Sequence, residues 1–294
     1  MIFGAIDVGT NAARMLIGEI CKSETGPFMK KISYTRIPLR LGEDVFENGK
    51  ISEKKSRDFV KTMECFKLIS EIFMVDGLRL VSTSAMREAK NASSIINKIK
   101  ETTGLNLEII SGKEEAQLIL GAFELLNIKK SKTYIVIDVG GGSTEISIFS
   151  NGKRTQAQSF EIGTIRLLKE KVQTKIWEEI TLWIKENVDV NKDYLVFGTG
   201  GNINKIHKLI GDNMGDSVKY GDIKEFYQKI KELKIDDRIT QFKLKPDRAD
   251  VIVPALKIYI YIMKKLKVSD LHVPKIGLSD GVIYNFYKRS KNVK

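Results

Sequence analysis

The sequence predicts an α/β protein built from two related domains, each with a mixed sheet. Its 294 residues exceed one typical core and suit two domains of roughly 100–200 residues. Residues 3–10 read FGAIDVGT, and residues 134–144 read YIVIDVGGGST. These two copies lie about 130 residues apart, which is one domain length. Strand-like and helix-like segments alternate around them, which is typical of α/β architecture.

Each copy predicts a β-hairpin whose turn carries an aspartate, a glycine and a hydroxyl residue. The entering strand ends in Ile-Asp-Val-Gly, and a second β-like run leaves the turn. That second run reads ARMLIGEI after the first turn and TEISIFS after the second. Two such hairpins, one in each domain, would face each other across a cleft.

The segments between the hairpins continue the alternation. A helix begins after Ser52, its predicted N-cap, with Phe59, Met63 and Phe66 at helical spacing. A strand and loop read LRLVSTSA, a helix ends at Gly104, and the strand LNLEII leads into another helix.

The second half repeats this pattern. A helix EEITLWIKENV precedes the strand and glycine-rich loop DYLVFGTGGN, and a buried helix with Pro254 in its first turn follows Arg248. The predicted domains are 1–122 and 123–282, and the C-terminal helix, about 283–294, is expected to pack back on the first domain.

The charge, the cysteines and the apolar runs of the sequence limit which partners and which cellular location we expect for the protein. The net charge is +12, which favours an anionic partner, but the lysines are dispersed and not interleaved with aromatic residues, so no nucleic acid is expected. Cys21 and Cys65 predict buried thiols in a reducing compartment and no zinc site. No signal peptide or apolar run of about 18 residues is visible, so we expect a cytoplasmic protein without a membrane partner. A homodimer is left open.

The second turn carries the strongest chemical signal. Gly140, Gly141 and Gly142 allow the backbone to approach an anion closely, and Ser143 and Thr144 add hydroxyl donors. Asp138 and Glu145 place carboxylates at both ends of the turn. Oxygen ligands beside a phosphate suit Mg²⁺, so we expect a phosphate-binding turn with these two residues as metal ligands.

The first turn is the partner of the second. Gly9, Thr10 and Asn11 are its predicted phosphate-binding residues, and Asp7 is a third candidate metal ligand. Arg14, on the strand that leaves the turn, is equally compatible with substrate binding and with a structural salt bridge.

A third glycine loop, with Gly198, Gly200 and Gly201, lies between a strand and a helix. A helix N-terminus of this kind can bind an anion or a ribose-phosphate. The loop lacks both the G-x-G-x-x-G pattern and the P-loop lysine, so it is weak evidence taken alone.

Two further segments contribute charged candidates. Arg87 follows a strand and a hydroxyl cluster, where it would bind phosphate oxygens or form a surface ion pair with Glu88 or another acid. Ser111 and Glu114 form a predicted capping box, which leaves Glu115 about 100° around the helix. Glu115 is then either a general base for water or an acid that complements the helix dipole.

Six motifs span nearly the whole chain and read AIDVGTNAARML, STSAMREAKN, IISGKEEAQLI, VIDVGGGSTEISI, FGTGGNINKI and RADVIVPAL. In this order they resemble the motifs of the exopolyphosphatase and guanosine pentaphosphate phosphatase family of the actin-like ATPase superfamily. The resemblance implies two actin-like (ribonuclease H-like) domains, the short form of the family, with the active site in the cleft.

The resemblance also implies individual roles. It makes Glu115 the catalytic base, Asp138 and Glu145 the acids associated with Mg²⁺, and Arg87 a contact of the substrate phosphate. Two positions depart from the family pattern, since Ala12 replaces a serine of the first turn and Ser279-Asp280 replace an Arg-Glu pair. These changes put substrate choice in doubt, but not the proposed base or metal ligands.

The implied activity is Mg²⁺-dependent hydrolysis of the terminal phosphoanhydride of inorganic polyphosphate, which releases orthophosphate. Guanosine pentaphosphate offers the same bond and is the first alternative. An actin-like sugar kinase or ATPase is a second, against which the SGKEEA segment argues. The third is a non-catalytic polyphosphate- or alarmone-binding protein.

Overall fold

The computed structural model describes residues 1–24, 26–126, 132–211 and 217–292. The chain divides into two compact units, residues 1–128 with 276–294, and residues 129–275. The first division therefore falls six residues after the predicted boundary at 122. The second falls before the last helix, so that the whole helix belongs to the first unit.

The first unit contains a five-stranded sheet. Its strands are β1 (Ile2–Val8), β2 (Ala13–Ser23), β3 (Gly26–Ile37), β4 (Gly77–Ser82) and β5 (Leu107–Ile109). Its helices are α1 (Leu41–Asn48), α2 (Glu53–Ile72), α3 (Ser84–Glu88), α4 (Ala92–Thr103) and α5 (Gly112–Phe123), followed by a 3₁₀ turn at Glu124–Leu126. The strand order is β3-β2-β1-β4-β5.

The second unit contains a six-stranded sheet. Its strands are β6 (Tyr134–Val139), β7 (Thr144–Ser150), β8 (Lys153–Phe160), β9 (Leu195–Thr199), β10 (Ser217–Lys219) and β11 (Asp270–His272). Its helices are α6 (Thr164–Leu168), α7 (Lys175–Asn187), α8 (Gly201–Ile210), α9 (Tyr220–Lys231), α10 (Ile235–Phe242), α11 (Pro246–Ala249) and α12 (Ile252–Leu266). The strand order is β10-β11-β9-β6-β7-β8.

The two sheets repeat one topology. In each, an antiparallel meander of three strands is extended by two strands parallel to the first, so that β8-β7-β6-β9-β11 matches β3-β2-β1-β4-β5. Short turns join the antiparallel strands, whereas the parallel ones need helical crossovers. The predicted two-domain actin-like α/β fold is confirmed.

The third strand of each meander was missed in the sequence. β3 and β8 lie at the edges of their sheets. The residues of β3 change irregularly between half-buried and exposed, and those of β8 before Phe160 are almost all exposed. An edge strand with lysines carries no clear apolar period, because charged side chains at an edge protect it from pairing with other chains.

The last helix, α13 (Leu278–Asn292), packs in the first unit against β1, β2 and α5. Phe286 stacks on Phe3 of β1 with ring centroids 5.2 Å apart. Gly281 lies against the Leu118 carbonyl of α5, where any Cβ would overlap backbone atoms. This close approach fixes α5, the helix that carries Glu115.

The predicted helix caps agree with the structure in part. The Ser52 hydroxyl accepts a hydrogen bond from the Lys55 amide, and Gly104 ends α4 with φ 74°. The prediction that both cysteines are buried was wrong, since Cys65 is exposed on the outer face of α2 and Cys21 is half-buried. Among the described residues, no helix is both long and apolar enough to cross a bilayer.

Candidate active site

The turn between β6 and β7, residues 140–143, is held from one side by α6. Its first amide donates to the Ser143 carbonyl at 2.9 Å and closes the hairpin. All three glycine carbonyls accept hydrogen bonds from α6: Thr164 N to Gly140 O at 3.0 Å, Ile165 N and Arg166 N to Gly141 O at 2.8 and 3.1 Å, and Arg166 Nε to Gly142 O at 2.8 Å. The sequence predicted a glycine turn here but did not indicate that α6 would donate hydrogen bonds to its carbonyls.

This arrangement determines where the amide groups of the turn point. In a planar trans peptide the carbonyl and the following N–H point in opposite directions. Since the three carbonyls point to α6, the amides of Gly141, Gly142 and Ser143 point away from it. Three successive amides on one side are the arrangement that binding of an anion by this turn requires.

Gly163, the residue before α6, makes this close contact possible. A Cβ at this position would lie 2.5 Å from backbone atoms of Gly141 and Gly142. The glycine therefore serves the packing of α6 on the turn. Thr144 supports the turn in a similar way, because its buried hydroxyl donates to the Ile162 carbonyl at 2.6 Å. That contact gives Thr144 a structural partner in addition to its predicted role in phosphate binding.

Asp138 and Glu145 lie directly opposite each other on β6 and β7. Side chains of such antiparallel partners project to the same face, so the two carboxylates are neighbours. Glu145 Oε1 accepts hydrogen bonds from the hydroxyls of Ser143 and Ser159, both at 2.7 Å, which orients this buried carboxylate. Ser159, on the β8 strand that the sequence did not reveal, could not have been predicted in this role.

This donor set fits Mg²⁺. The cation takes one or two carboxylates and completes its shell with water and substrate phosphate. Asp138 and Glu145 supply two carboxylates at the ends of the turn that carries the row of amides. No group of three or more His, Cys, Asp or Glu able to hold a metal occurs in the part of the chain that the structure describes. A cation that needs a cage of protein ligands fits this pair less well.

The turn between β1 and β2 has the same design. The Gly9 amide donates to the Ala12 carbonyl at 3.1 Å, as Gly140 does to Ser143. The Gly42 amide, in α1, donates to the Thr10 carbonyl at 3.0 Å, and the Arg40 amide donates to the Asn11 carbonyl at 2.9 Å. The start of a helix again holds carbonyls of the turn, here two of them.

The two turns differ in the partner of their aspartate. Asp7 lies opposite Arg14, and Arg14 Nη1 donates to Asp7 Oδ2 at 2.7 Å, with side chains 25% and 7% exposed for the arginine and the aspartate. The equivalent partner of Asp138 is the carboxylate Glu145. An arginine therefore neutralises the acid of the first turn, whereas a second acid adds to that of the second turn. Of the two readings for Arg14, this contact favours the structural salt bridge.

The third glycine loop connects β9 to α8. Gly200 has φ 101°, a backbone conformation that disfavours other residues, and a Cβ there would lie 3.1 Å from Asp138 Oδ1. The loop therefore reaches the carboxylate pair of the same unit. Gly198 is enclosed by hydrophobic side chains, with a Cβ position 3.0 Å from Leu271.

Arg248 lies against Gly201, where a Cβ would overlap its guanidinium. Its Nη1 donates to Asn202 Oδ1 at 2.7 Å. Burial, followed by the charges of Lys208 and Arg248, lowers the pKa of Lys205 on the same helix. The start of α8 thus combines a helix N-terminus with the guanidinium of Arg248.

Arg87 and Glu115 meet in the first unit. Arg87 Nη1 lies 3.4 Å from Glu115 Oε2 and donates to the Ile110 carbonyl at 2.7 Å. Glu115 faces inward, with its side chain only 12% exposed. The Arg87 Nε and Nη2 groups make no hydrogen bond with the described residues, so they remain donors for a bound anion. The acid that partners Arg87 is therefore Glu115, and Glu88 instead accepts from Ser84.

Glu114 has a structural partner, although the contact differs from the predicted one. Its amide donates to the Ser111 hydroxyl at 3.1 Å, which is the N-cap half of the capping box. Its carboxylate pairs with Arg79 Nη2 at 2.8 Å, so the other half of the box, a bond from the Ser111 amide, is replaced by a salt bridge. Glu114 and Glu115 therefore have different surroundings.

Arg166 and Arg248 are the main site residues that sequence reasoning missed. Arg166 follows the hairpin by some twenty residues, and nothing in its neighbourhood separates it from a surface arginine. Arg248 is the first residue of the motif RADVIVPAL. Its charge at the start of an apolar run was the one feature that could have marked it as a site residue.

Arg166→Met should loosen the second turn. The change removes the hydrogen bond from a buried cation to the Gly142 carbonyl, so the free energy of unfolding should fall by about 2 kcal/mol. Urea titration measures this loss, and calorimetric titration with inorganic phosphate tests the turn itself. Arg289→Met, the same change at an exposed position, is the control. Equal stability and equal phosphate affinity in the two variants would contradict this role.

The strand order and the paired turns define a two-domain actin-like α/β protein. The chain belongs to the Ppx/GppA phosphatase family, whose model matches residues 20–290. Among solved structures, an exopolyphosphatase from Cytophaga hutchinsonii has a TM-score of 0.83 at 21% identity, with 98% of each chain covered. A Ppx/GppA family member from Aquifex aeolicus has a TM-score of 0.74 at 22% identity, with 99% of this chain and 98% of that chain covered.

Curated relatives are similar at the sequence level. A bifunctional 3-dehydroquinate synthase/phosphatase from Fusobacterium nucleatum is 28% identical over 65% of this chain and 30% of its own. Exopolyphosphatase 1 of Mycobacterium tuberculosis is 28% identical over 58% of this chain and 48% of its own. A putative exopolyphosphatase from Haemophilus influenzae is 23% identical over 97% of this chain and 91% of its own. The chain spans less than half the length of the first two relatives.

Proposed function

We propose that the protein is a Mg²⁺-dependent exopolyphosphatase that releases orthophosphate from the end of inorganic polyphosphate. The observation that carries this proposal is the turn at residues 140–143. Its three glycine carbonyls point toward α6, so its amides point the other way. Two carboxylates, Asp138 and Glu145, lie opposite each other at the ends of this turn. Family membership and relatives named as exopolyphosphatases support it. The net charge of +12 suits a polyanionic substrate.

The second unit binds and orients the terminal phosphoryl group. The amides of Gly141, Gly142 and Ser143 donate to its oxygens, where charge builds up as the reaction proceeds. Asp138 and Glu145 hold Mg²⁺, which when bound neutralises charge on the phosphate oxygens. The hydroxyls of Ser143 and Ser159 fix the Glu145 carboxylate in this task.

The first unit supplies the groups for proton transfer. Glu115 accepts a proton from water as the water oxygen bonds to the terminal phosphorus. The bridging P–O bond breaks, its oxygen stays on the shortened chain, and orthophosphate leaves. Arg87 Nη1 lies 3.4 Å from Glu115 and donates to the Ile110 carbonyl. The Nε and Nη2 groups of Arg87 donate to phosphate oxygens. The turn at Gly9, Thr10 and Asn11 binds a further phosphate.

A phosphate-release assay tests the proposal. The intact protein is incubated with long-chain polyphosphate and Mg²⁺, without any acceptor, and in parallel with guanosine pentaphosphate. We expect orthophosphate from polyphosphate at the higher initial rate, and loss of the product on chelation. A higher rate on guanosine pentaphosphate would assign the alternative substrate. Binding of polyphosphate without any release would favour the non-catalytic reading, and transfer only to an acceptor would favour a kinase.

The location is proposed on separate grounds. Cys21 and Cys65 are free thiols, which persist in a reducing compartment such as the cytoplasm.

A further inference from the structure

Thr199, the last residue of β9, lies beside the carboxylate pair of the second unit. β9 runs parallel to β6 with Thr199 opposite Asp138, and β7 runs antiparallel to β6 with Glu145 opposite Asp138. Residues in register on adjacent strands project to the same face of a sheet. Three oxygen-bearing side chains therefore form one row across β7, β6 and β9.

The hydroxyl of Thr199 does not contribute a hydrogen bond to the described part of the fold. The residue is 1% exposed, and its Oγ1 has no hydrogen-bond partner among the residues that the structure describes. Buried hydroxyls are almost always hydrogen-bonded, because they have given up water. The backbone here is fixed by other means, since the Thr199 carbonyl accepts from the Tyr259 hydroxyl at 2.8 Å and Gly200 follows with φ 101°.

The duplicated topology of the first unit provides an internal comparison. There the equivalent row consists of Arg14, Asp7 and Val81, with Asp7 opposite both of the others. Valine has the shape of threonine without the hydroxyl, and Val81 is fully buried. The fold therefore does not require a hydroxyl at this position. The hydroxyl accompanies the carboxylate pair, and the valine accompanies the aspartate that an arginine neutralises.

We propose that Thr199 Oγ1 is a further oxygen of the cation site and accepts a hydrogen bond from a water that Mg²⁺ retains. The inference rests on the proposed function, because it concerns the same site. Mg²⁺ takes few carboxylates and keeps several waters, and these waters need acceptors around them. Thr199 is thus a positioning residue, which acts on the cation through its hydration shell.

The test is Mg²⁺ affinity measured by calorimetric titration without substrate, together with the melting temperature in chelator. Thr199→Val keeps the shape and removes the oxygen, so Mg²⁺ affinity should fall about 3- to 10-fold, the equivalent of one hydrogen bond. The metal-free variant should melt at the same or a higher temperature, because it no longer buries an unpaired hydroxyl. Thr199→Ser should restore most of the affinity. Thr181→Val, on α7 of the same unit, is the control and should bind Mg²⁺ as the wild type does.

Asp138→Asn is titrated in parallel to separate two kinds of failure. If the wild type binds Mg²⁺, Asp138→Asn binds it weakly and Thr199→Val binds it normally, the inference on Thr199 is overturned and the metal site stands. A clear fall in the metal-free melting temperature of Thr199→Val would also overturn it, by revealing a structural role. If the wild type shows no saturable Mg²⁺ binding, the metal proposal and this inference fail together.

Discussion

Replacing Glu115 by glutamine should lower orthophosphate release from polyphosphate by roughly 100-fold or more, in line with the loss of a general base. Glutamine keeps the size of the side chain and its contact with Arg87 but cannot take a proton from water. Polyphosphate binding and the Mg²⁺ requirement should remain, because the groups proposed for them lie in other segments. Initial rates at saturating polyphosphate measure the effect, and equilibrium binding measures what is retained.

Glu114→Gln is the matched control. It makes the same chemical change on the neighbouring residue, whose carboxylate pairs with Arg79 and is 45% exposed. An exposed ion pair contributes at most about 1 kcal/mol, so this variant should fold and turn over normally. If both variants turn over at the wild-type rate, Glu115 merely complements the helix start and pairs with Arg87. Equal losses in both would indicate damage to α5 instead of loss of a base.

The duplicated fold could be predicted from sequence because a short local signal encodes it. Ile-Asp-Val-Gly occurs twice, each time at the end of an apolar run, and each copy forms a hairpin with the predicted turn. Apolar periodicity likewise revealed the helix that buries Phe59, Met63 and Phe66. The edge strands β3 and β8 lack such a period, because neither strand has a regular alternation of buried and exposed side chains.

The contacts that organise the site could not be predicted in the same way. Arg166 holds the Gly142 carbonyl from 24 residues away, and Ser159 holds Glu145 from 14 residues away. These separations are set by the path of β8 and α6, which no local pattern in the sequence encodes. The capping box shows both cases. The hydrogen bond from the Glu114 amide to the Ser111 hydroxyl joins residues three apart and formed as predicted. The Glu114 carboxylate instead pairs with Arg79, which is 35 residues away in the sequence.

Replacing Asp138 by asparagine should weaken Mg²⁺ binding at least tenfold and raise the Mg²⁺ concentration needed for phosphate release. Loss of an outer-shell partner of a metal costs about 10- to 100-fold in affinity, and a direct ligand should cost no less. The change leaves the shape of the turn intact, because the carbonyl contacts with α6 do not involve the Asp138 side chain. Rates over a Mg²⁺ titration and calorimetric affinity measure the effect.

Asp7→Asn is the control that the duplicated fold supplies, since it makes the same change at the equivalent position of the first unit. Here the carboxylate pairs with Arg14, so its loss should cost about 2 kcal/mol of folding stability and leave Mg²⁺ affinity unchanged. The opposite result, with Mg²⁺ binding lost in Asp7→Asn and kept in Asp138→Asn, would place the cation on the first turn. An internal arginine would then have to be displaced before the metal could bind, which makes this outcome energetically unfavourable. Because its two acids lie opposite each other on neighbouring strands, the second turn is the one suited to a cation.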